Sequence, residues 1–268
     1  MNKLFSIGSF CSAVLFLLLS GCARYVSVTT EIHSIPANST VTVSTFNGSI
    51  TVDWCEGTEL ILEITRTSSR SEEELDKAEV EVTSGMITSI EAHRLDRYAN
   101  VGVSLKLSLP YGTEIGELHT SNGSIVITGG AGSAQAHTSN GNISFENFSG
   151  SVSAETSNGN ISVSASSLIY AASSNGSISG EISSIPLEGI TLRTSNGAIN
   201  IEIDSGLDAD IEMDTSNGSI SVTGEGFSNI IIDDSDGSAT LGVGGNSITL
   251  RTSNGSIRVK AVSLEVSP

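Results

Sequence analysis

The sequence predicts an all-β fold, a β-solenoid in which short repeats stack behind an N-terminal capping region. Three observations support this prediction. Asn-Gly recurs at regular intervals in the second half of the chain, and the residues around it alternate between apolar and polar. The composition is also rich in glycine and poor in aromatic residues, with 28 Gly and 4% Phe, Trp and Tyr. A core of small and β-branched side chains suits stacked repeats.

The repeat unit is Thr-Ser-Asn-Gly-x-Ile, and it returns every 17 to 21 residues. A period of this length, found many times in series, indicates a repeat protein. An isolated copy precedes the series, and in one copy Asp-Ser-Asp-Gly replaces the motif. The predicted turn residues are Asn47, Asn122, Asn140, Asn158, Asn175, Asn196, Asn217, Asp236 and Asn254.

Alternation within each repeat predicts a strand on both sides of the Asn-Gly bend. Positions six and four before the bend are apolar, as at Ile190 and Leu192, and so are positions three and five after it, as at Ile199 and Ile201. Before Asp236 these inward positions are taken by Ile230 and Ile232, among others. Each repeat therefore has two strands with one apolar face each.

The Asn-Gly bend allows two architectures, a two-residue hairpin turn or an arch between stacked sheets, both expected to need positive φ. Hairpins would leave a long apolar face open to water unless the meander closed on itself. Arches bury the two apolar faces against each other inside one coil. Nearly invariant Thr, Ser, Asn and Ile columns favour arches, because parallel in-register stacking places like residues in ladders.

The domain organisation follows from where the repeat begins. We expect a signal peptide over residues 1–21, a lipidated N-terminus and short tether over 22–38, a cap with the first coil over 39–115, and the repeat array over 116–268. Strand-like runs occur at residues 26–32, 39–45, 49–52, 60–65 and 101–109, and a short helix is predicted over 71–80 because acidic residues follow Ser69 and Ser71. An atypical end of this kind covers the open edge of a solenoid.

The first residues predict export. Lys3 is positive, the apolar run from Ala13 to Leu19 is too short to span a bilayer, and Leu19-Ser20-Gly21-Cys22 follows. That ending resembles a bacterial lipobox, which implies lipidation of Cys22; the alternative is an ordinary secretory signal cleaved near Ala23. Both place the protein outside the cytoplasm. Ala23 after the cysteine implies the outer membrane if the organism is diderm.

The formal net charge of −18 limits the partners. An acidic chain with 12 Lys and Arg lacks the basic face that neutralises nucleic-acid phosphates, so we expect no nucleic acid partner. It is equally unsuited to adsorb on anionic lipid headgroups. The membrane is therefore expected as a partner only through the lipid anchor.

The approach to the array resembles a known family. Leu107-Ser108-Leu109-Pro110-Tyr111-Gly112 leads into Leu118-His119-Thr120-Ser121-Asn122-Gly123-Ser124-Ile125, and the Thr-Ser-Asn-Gly-x-Ile repeats follow. These residues resemble the bacterial putative-adhesin family of β-strand-repeat domains, over about residues 40–260. The resemblance implies a solenoid-like domain at the cell surface and carries no catalytic residues.

Outward side chains three positions before each bend are the first candidates for function. In chain order they are His119, His137, Glu155, Ala172, Arg193, Asp214, Asp233 and Arg251. Stacking in chain order predicts exposed ion pairs of Arg193 with Asp214 and of Asp233 with Arg251, each worth about 0–1 kcal/mol. His119 above His137 offers two imidazoles to a metal, with Glu155 as the nearest third ligand.

Four aspartates are candidate calcium ligands, because their oxygens are the donors that calcium prefers. They are Asp214, Asp233, Asp234 and Asp236. The sequence lacks the Gly-Gly-x-Gly-x-Asp nonapeptides of calcium-binding β-rolls, and a turn using Asp explains the same residues. Calcium is the one cofactor considered, and otherwise none is expected.

These features favour a non-catalytic surface module that binds a glycan or an envelope protein over an enzyme. Gly-x-Ser-x-Gly is absent at any strand-to-helix junction, and the four His are not placed with a clear Ser and Asp. One alternative is a structural envelope component that assembles with itself. The other is a calcium-dependent polysaccharide lyase or hydrolase, which the short connections between coils disfavour because a deep cleft needs long loops.

Overall fold

The computed structural model describes residues 15–16 and 25–264 of the chain. Most of the predicted signal peptide and the predicted lipidation site Cys22 lie outside these residues. Within them the protein consists of strands and one short 3-10 helix, so the all-β prediction is confirmed.

The elements divide at residue 114 into an N-terminal region and the array. The N-terminal region contains β1 (Leu15–Phe16), β2 (Tyr25–Ser34), β3 (Thr40–Thr45), β4 (Ile50–Cys55), β5 (Glu59–Ser68), the 3-10 helix η1 (Glu72–Lys77), β6 (Ala78–Thr83), β7 (Ile87–Arg94) and β8 (Gly102–Pro110). The array contains β9 (Glu114–Asn122), β10 (Ile125–Thr128), β11 (Ala131–Asn140), β12 (Ile143–Asn158), β13 (Ile161–Asn175), β14 (Ile178–Ile182), β15 (Ile190–Asn196), β16 (Ile199–Asp204), β17 (Ala209–Asn217), β18 (Ile220–Thr223), β19 (Phe227–Ile232), β20 (Asp236–Leu241), β21 (Ser247–Asn254) and β22 (Ile257–Val262).

Each repeat pairs in parallel with neighbouring repeats on both sides of its Asn-Gly. Before the bend, Asn140 is in register with Asn122, and after the bend Ile143 is in register with Ile125. We call the stack of strands before the bends ladder A and the stack after them ladder B, and we name each repeat by its Asn. A hairpin would pair the two flanking strands antiparallel, and no such pair occurs at these bends in the described part of the chain. This pairing excludes the hairpin alternative.

The apolar positions of the two ladders form one core. Ile125, Ile143, Ile161 and Ile199 are each 0% exposed, and they belong to a single cluster that extends through the whole array. The opposite face of each strand carries polar side chains. Alternation along the sequence therefore identified the buried face correctly, because successive residues of a strand point to opposite sides.

Two rows of side-chain hydrogen bonds hold the repeats in register at the bends. The buried Thr two positions before the Asn donates its hydroxyl to a glycine carbonyl of the adjacent repeat, as from Thr138 to Gly123 at 3.0 Å. The Asn side chains bond to one another from repeat to repeat, as from Asn140 to Asn122 at 2.9 Å. A Thr that bonds to the neighbouring backbone satisfies its own buried hydroxyl and a buried carbonyl together.

The glycine of the motif is required by close packing. Among the glycines of the described bends, positive φ occurs at Gly123 and Gly141, where 158° and 159° are close to extended backbone, and this corrects the expectation from sequence. No Asn of a described bend has positive φ; the non-glycine residues that do are Asn38, Asn147 and Asn229. A Cβ on Gly159 would overlap the carbonyl oxygen of Gly141 in the adjacent repeat. Only glycine therefore allows the two backbones to approach at the bend.

The N-terminal region adds strands to both ladders, and it places the isolated Asn47 repeat next to the Asn122 repeat. On the other side, β7 pairs in parallel with β3 and β8 with β4. β6 then pairs antiparallel with β7 at the end of ladder A, and β5 pairs antiparallel with β8 on ladder B. β2 pairs antiparallel with β5. Segment 22–38, expected as a tether with a strand-like run at 26–32, contains β2. The predicted helix is the shorter η1, and β6 and β7 were not predicted.

At the other end, the repeats are not stacked in chain order. The last repeat, formed by β21 and β22, lies between the Asn196 repeat and the Asn217 repeat in both ladders. Its strands therefore have parallel neighbours on both sides. The chain leaves a gap after the Asn196 repeat and fills it with its final repeat.

The segment around Asp236 is a second correction. It forms an antiparallel hairpin, β19 with β20, and β20 pairs antiparallel with β17, so Asp236 is not the bend of a stacked repeat. Ile230 and Ile232, expected in the core, are 48% and 46% exposed, and Ile231 is 66% exposed. A register shift between Ser228 and Ile231 interrupts the strand alternation, so adjacent isoleucines face solvent.

Candidate functional site

The outer face of ladder A brings the outward candidates into one line, which we call the central row. It consists of the side chains three positions before each Asn. Its order in space, given by the strand register, is Ser44, His119, His137, Glu155, Ala172, Arg193, Arg251 and Asp214. Neighbours in the row lie one strand spacing apart, about 4.8 Å.

Both ion pairs predicted from chain order are wrong, because the last repeat is inserted. Arg251 lies between Arg193 and Asp214, so Arg193 and Asp214 are two strands apart. Asp233 lies in the β19–β20 hairpin, where its backbone NH donates to the carbonyl oxygen of Asp236 at 2.8 Å. The structure thus places two arginines side by side in the central row and leaves Asp214 beside the second of them.

A depression of about 490 Å³ opens on this face around Ala172. Ala172, whose short side chain is 6% exposed, lies in the central row between Glu155 and Arg193. Tyr170 lies beside it, with the guanidinium carbon of Arg193 5.4 Å from the centre of its ring. A second row, one position before each Asn, lines the depression with exposed hydroxyls, namely Ser157, Ser174, Ser195, Ser253 and Ser216.

The histidines of the central row are neighbours, as predicted. The rings of His119 and His137 are parallel within 3° and their centres are 5.2 Å apart. Nδ1 of His137 lies 3.8 Å from a carboxylate oxygen of Glu155. Among the residues that the structure describes, however, no group of three His, Cys, Asp or Glu is placed to hold a metal ion.

The calcium candidates are likewise not gathered into such a group within residues 25–264. Asp214 is opposite Asp236 in the antiparallel pair of β17 and β20. Asp233 accepts a hydrogen bond from the backbone NH of Asp234 at 2.9 Å, and Asp236 accepts one from the hydroxyl of Ser235 at 3.0 Å. These carboxylates serve the turn of the hairpin, in line with the structural explanation given above for the Asp residues.

The basic residues of the array are few and clustered. Residues 116–268 contain only Arg193, Arg251, Arg258 and Lys260, and the last three belong to the inserted repeat. Lys260 contacts Glu202 at 3.2 Å, and Arg258 donates to the side-chain oxygen of Asn200 at 3.3 Å, both on the outer face of ladder B. On ladder A, no carboxylate oxygen of the described residues lies within 4.0 Å of Arg193 or Arg251.

Sequence reasoning missed two parts of this site. Tyr170 was not singled out, although it is the one aromatic residue at an outward position of the strands that line the depression. The side-by-side arginines depend on the inserted repeat, which the chain order does not reveal. The serine row, in contrast, was visible as the Ser of every Thr-Ser-Asn-Gly motif.

Comparison with known proteins finds solved structures but no matching family model and no matching curated protein. A putative adhesin from Bacteroides fragilis NCTC 9343 has 14% identity and a TM-score of 0.43, with 88% of this chain and 97% of that chain covered. A putative cell adhesion protein from Clostridium sporogenes ATCC 15579 has 14% identity and a TM-score of 0.33, with 88% and 100% covered. A putative lipid binding protein from Parabacteroides distasonis ATCC 8503 has 14% identity and a TM-score of 0.33, with 88% and 96% covered.

The first two structures are described as an adhesin and a cell adhesion protein, as is the family that the sequence resembles. TM-scores below 0.5 leave the activity of this chain to be argued from its own residues. As to membranes, the described residues include no helix of the length and apolarity needed to cross one.

Proposed function

We propose that the chain is a non-catalytic module of the cell envelope: a lipid-anchored β-solenoid that binds a glycan or a protein through the outer face of ladder A. Parallel, in-register pairing of the repeats supports the solenoid, as does the single core between the two ladders. Each repeat then forms one coil, and its polar side chains recur on the surface at the strand spacing.

The central row and the serine row are the observation that carries this proposal. Together they present hydroxyl, imidazole, carboxylate and guanidinium groups on consecutive repeats, on an exposed face of regular strands. A polymer with repeated hydroxyls can contact several repeats at once. Each contact is weak, and the sum is strong because all contacts after the first are intramolecular.

The position of the N-terminus supports a role at the surface. Beyond β8 and β5, ladder B continues into β2, whose other edge pairs with the two-residue β1 of the predicted signal peptide. β18 lies at the other end, about 50 Å from β2 at the usual strand spacing. A lipid on Cys22, three residues before β2, would hold that end at the membrane, which would be the outer membrane in a diderm bacterium. The repeats would then extend away from the lipid surface.

The test is a binding screen against envelope polysaccharides and whole cells. The mature chain would carry Cys22→Ser so that no lipid is attached, and binding would be measured with calcium and with a chelator. Saturable binding that is weakened by substitutions in the serine row supports recognition through ladder A. Absence of binding in both conditions, or binding unaffected by changes on ladder A, contradicts the proposal. Binding lost with the chelator would bring Asp214, Asp233, Asp234 and Asp236 back as calcium ligands.

A second candidate function, self-assembly into an envelope structure, is favoured by β19. This strand pairs only with β20 among the described residues, and Ile230, Ile231 and Ile232 on it are exposed. An unpaired apolar edge strand is a template for pairing with another chain. Two β19 strands paired antiparallel would place their isoleucines together and keep Asp233 and Asp234 of each copy at opposite ends, so a second copy of this chain fits the edge.

Self-assembly is tested by the sedimentation coefficient of the non-lipidated protein over a range of concentrations. A coefficient that rises with concentration, and that Ile231→Lys returns to the monomer value, supports pairing through β19. A monomer at all concentrations contradicts this second function and does not affect the proposed binding through ladder A.

A further inference from the structure

The fold brings together two like charges that its sequence order keeps 58 positions apart. Arg193 and Arg251 are adjacent in the central row because the last repeat is inserted beside the Asn196 repeat. If the repeats stacked in chain order, Asp214 would be the neighbour of Arg193. Two guanidinium groups on adjacent strands repel each other, and an anion bound between them would relieve that repulsion.

The two other basic residues of the array show that this arrangement is a property of ladder A. On the same two repeats, Lys260 and Arg258 each have a partner on ladder B, Glu202 and Asn200 respectively. Arg193 and Arg251 are exposed, and no carboxylate of the described residues lies within 4.0 Å of either. Their hydrogen-bond donors are therefore available to a ligand, and a guanidinium binds a carboxylate with paired hydrogen bonds.

The surroundings of the arginines suit a sugar. Tyr170 lies beneath the guanidinium of Arg193, on the strand that carries Ala172, and is partly exposed, so the part of its ring that Arg193 leaves open can contact the apolar face of a sugar ring. The depression extends past Ala172, and hydroxyls such as Ser174 and Ser195 line it. Aromatic stacking, hydroxyl donors and a charged clamp are together the groups that an acidic sugar needs.

Carboxylates at both ends of the depression restrict the charge density of the ligand. Glu155 lies two positions before Arg193 in the central row, and Asp214 lies directly after Arg251. A polyanion with a charge on every unit, such as a nucleic acid, would place charges against these carboxylates. A polysaccharide in which an acidic sugar alternates with a neutral one can place neutral sugars beside these carboxylates.

We propose that Arg193, Arg251 and Tyr170 form a subsite for the uronic acid unit of an acidic polysaccharide. This inference rests on the proposed binding through ladder A and names the ligand class. The two guanidinium groups bind the carboxylate, and Tyr170 stacks on the sugar ring. The neutral sugars on either side contact the serine hydroxyls and lie near Glu155 and Asp214.

The test compares one pair of variants with one pair of polymers. Arg193→Ser/Arg251→Ser removes two positive charges from ladder A. Arg258→Ser/Lys260→Ser removes two from ladder B of nearly the same repeats, so the net charge of the two variants is equal. The polymers are hyaluronate, in which glucuronate alternates with a neutral sugar, and its carboxyl-reduced derivative. Binding to the non-lipidated protein is measured by calorimetry at constant salt, after circular dichroism has shown that both variants are folded.

We expect the ladder A variant to bind hyaluronate about 10-fold or more weakly than the unsubstituted protein, since it loses charge-assisted hydrogen bonds. The ladder B variant should bind nearly as well as the unsubstituted protein, and the carboxyl-reduced polymer should bind the unsubstituted protein weakly. Equal losses in both variants would indicate unspecific attraction and overturn the subsite.

The remaining outcomes separate this inference from the proposed function. Equal binding of the two polymers, unaffected by either variant but weakened by substitutions in the serine row, would overturn the carboxylate subsite and leave binding of a glycan through ladder A intact. Binding to neither of these polymers nor to any envelope polysaccharide or whole cells would overturn both.

Discussion

Asn254 donates a hydrogen bond from its side-chain Nδ2 to Oδ1 of Asn196 at 2.9 Å, across 58 positions of the chain. Asn217 then donates to Asn254 at 3.0 Å, and no side-chain hydrogen bond joins Asn217 directly to Asn196 among the described residues. The last repeat thus completes the line of Asn side chains. It also completes both ladders, because its strands are hydrogen-bonded on both edges.

The distribution of charge gives a physical reason for this order. The last repeat carries Arg251, Arg258 and Lys260, whereas the Asn217 repeat on one side carries Asp210, Glu212 and Asp214 and no basic residue. The Asn196 repeat on the other side carries Glu202 and Asp204 on ladder B, and Arg193 on ladder A is its one basic residue. A basic repeat between two repeats with acidic side chains lowers the repulsion in a protein of net charge −18. The contact of Lys260 with Glu202 is one direct result.

Removing the last repeat should therefore unfold the array and not merely shorten it. A chain that ends after Asn246 loses the buried side chains of Ile248, Leu250, Ile257 and Val259 and leaves a gap inside the core. At about 2 kcal/mol for each side chain, the loss is comparable with the whole stability of a domain, about 5–15 kcal/mol. We expect this chain to lack a cooperative transition in urea, followed by far-UV circular dichroism.

A chain that ends after Leu264 keeps the last repeat and is the matched control. It should unfold at the same urea concentration as the full chain. If the shorter chain also keeps its transition, with only a proportionate loss of amplitude, the last repeat would be a terminal one and the inserted arrangement would be wrong.

The order of the repeats could not be predicted, because the motif that pairs them is the same in each. Thr, Asn and Gly of one repeat can bond to those of any other, so the alternation identifies strands and their inner face but not their neighbours. Two signals were present. The run Ile230-Ile231-Ile232 breaks the alternation where the hairpin forms, and three of the four basic residues of the array lie in the last repeat.

The candidate site was predictable in its composition and not in its arrangement. His119 and His137 are adjacent in both chain and space, so their stacking followed from the period. The neighbours of Arg193 and Asp214 depend on the inserted repeat, so the pairs predicted for them failed. The acidic run after Ser71 predicts a helix over 71–80 that overlaps the first residues of β6, so β6 was not predictable from this pattern.

Replacing Thr138 by Val should destabilise the protein through a lost buried hydrogen bond. The Thr138 hydroxyl is the donor to the carbonyl of Gly123 at 3.0 Å, and the side chain is 0% exposed. Val has the same shape without the donor, so we expect a loss of about 1–3 kcal/mol in the free energy of unfolding, measured in urea. Thr138→Ser should cost less, because Ser173 makes the same bond to Gly159 at 2.9 Å. If Val and Ser lowered the free energy of unfolding equally, the hydrogen bond that Val lacks would contribute no more than the methyl group that Ser lacks.

Replacing Gly159 by Ala should separate two adjacent repeats. The new Cβ would overlap the carbonyl oxygen of Gly141, so the bend must shift, and overpacking of this kind costs about 1–3 kcal/mol. Gly206→Ala is the control, since its Cβ would lie at an ordinary 3.5 Å from Asp204 and we expect a change within about 1 kcal/mol. Similar melting temperatures for the two variants would contradict the account of why the motif contains glycine.

Replacing Cys22 by Ser should release the protein from the membrane. The prediction depends on the lipobox-like ending of the apolar segment, in which Cys22 is the only residue that can accept the lipid. In fractionated cells, we expect the unsubstituted protein in the membrane pellet and Cys22→Ser in the soluble fraction. Cys55→Ser, which removes the free cysteine of the described domain, should pellet like the unsubstituted protein. A Cys22→Ser protein that still pellets would contradict the lipid anchor.

A buried carboxylate in the N-terminal region, that of Glu74, contributes to the response of the fold to acid. Glu74 is 5% exposed, and its carboxylate accepts a hydrogen bond from Nζ of Lys77 at 2.7 Å and one from the backbone NH of Asn100 at 2.6 Å. The bond from Lys77, and then the bond from Asn100, lower the pKa of Glu74 below its ordinary value of 4.5. The same bond raises the pKa of Lys77.

These shifts determine the sign of the pH dependence. Because the folded pKa of Glu74 is lower than the unfolded one, its contribution to stability is present above pH 4.5 and is lost as the pH falls through the folded pKa. The contribution of Lys77 is present below its unfolded pKa and is lost only as the pH rises through the raised value, in the alkaline range. Glu74→Gln should therefore be less stable than the unsubstituted protein at pH 7, and the difference should narrow as the pH falls below 4.5.

Glu72→Gln, at an exposed position of the same helix, should show no such narrowing in urea unfolding series at several pH values. A constant difference between Glu74→Gln and the unsubstituted protein from pH 7 to the acid limit would mean that the ionised carboxylate of Glu74 does not stabilise the cap, and that the substitution acts through packing alone.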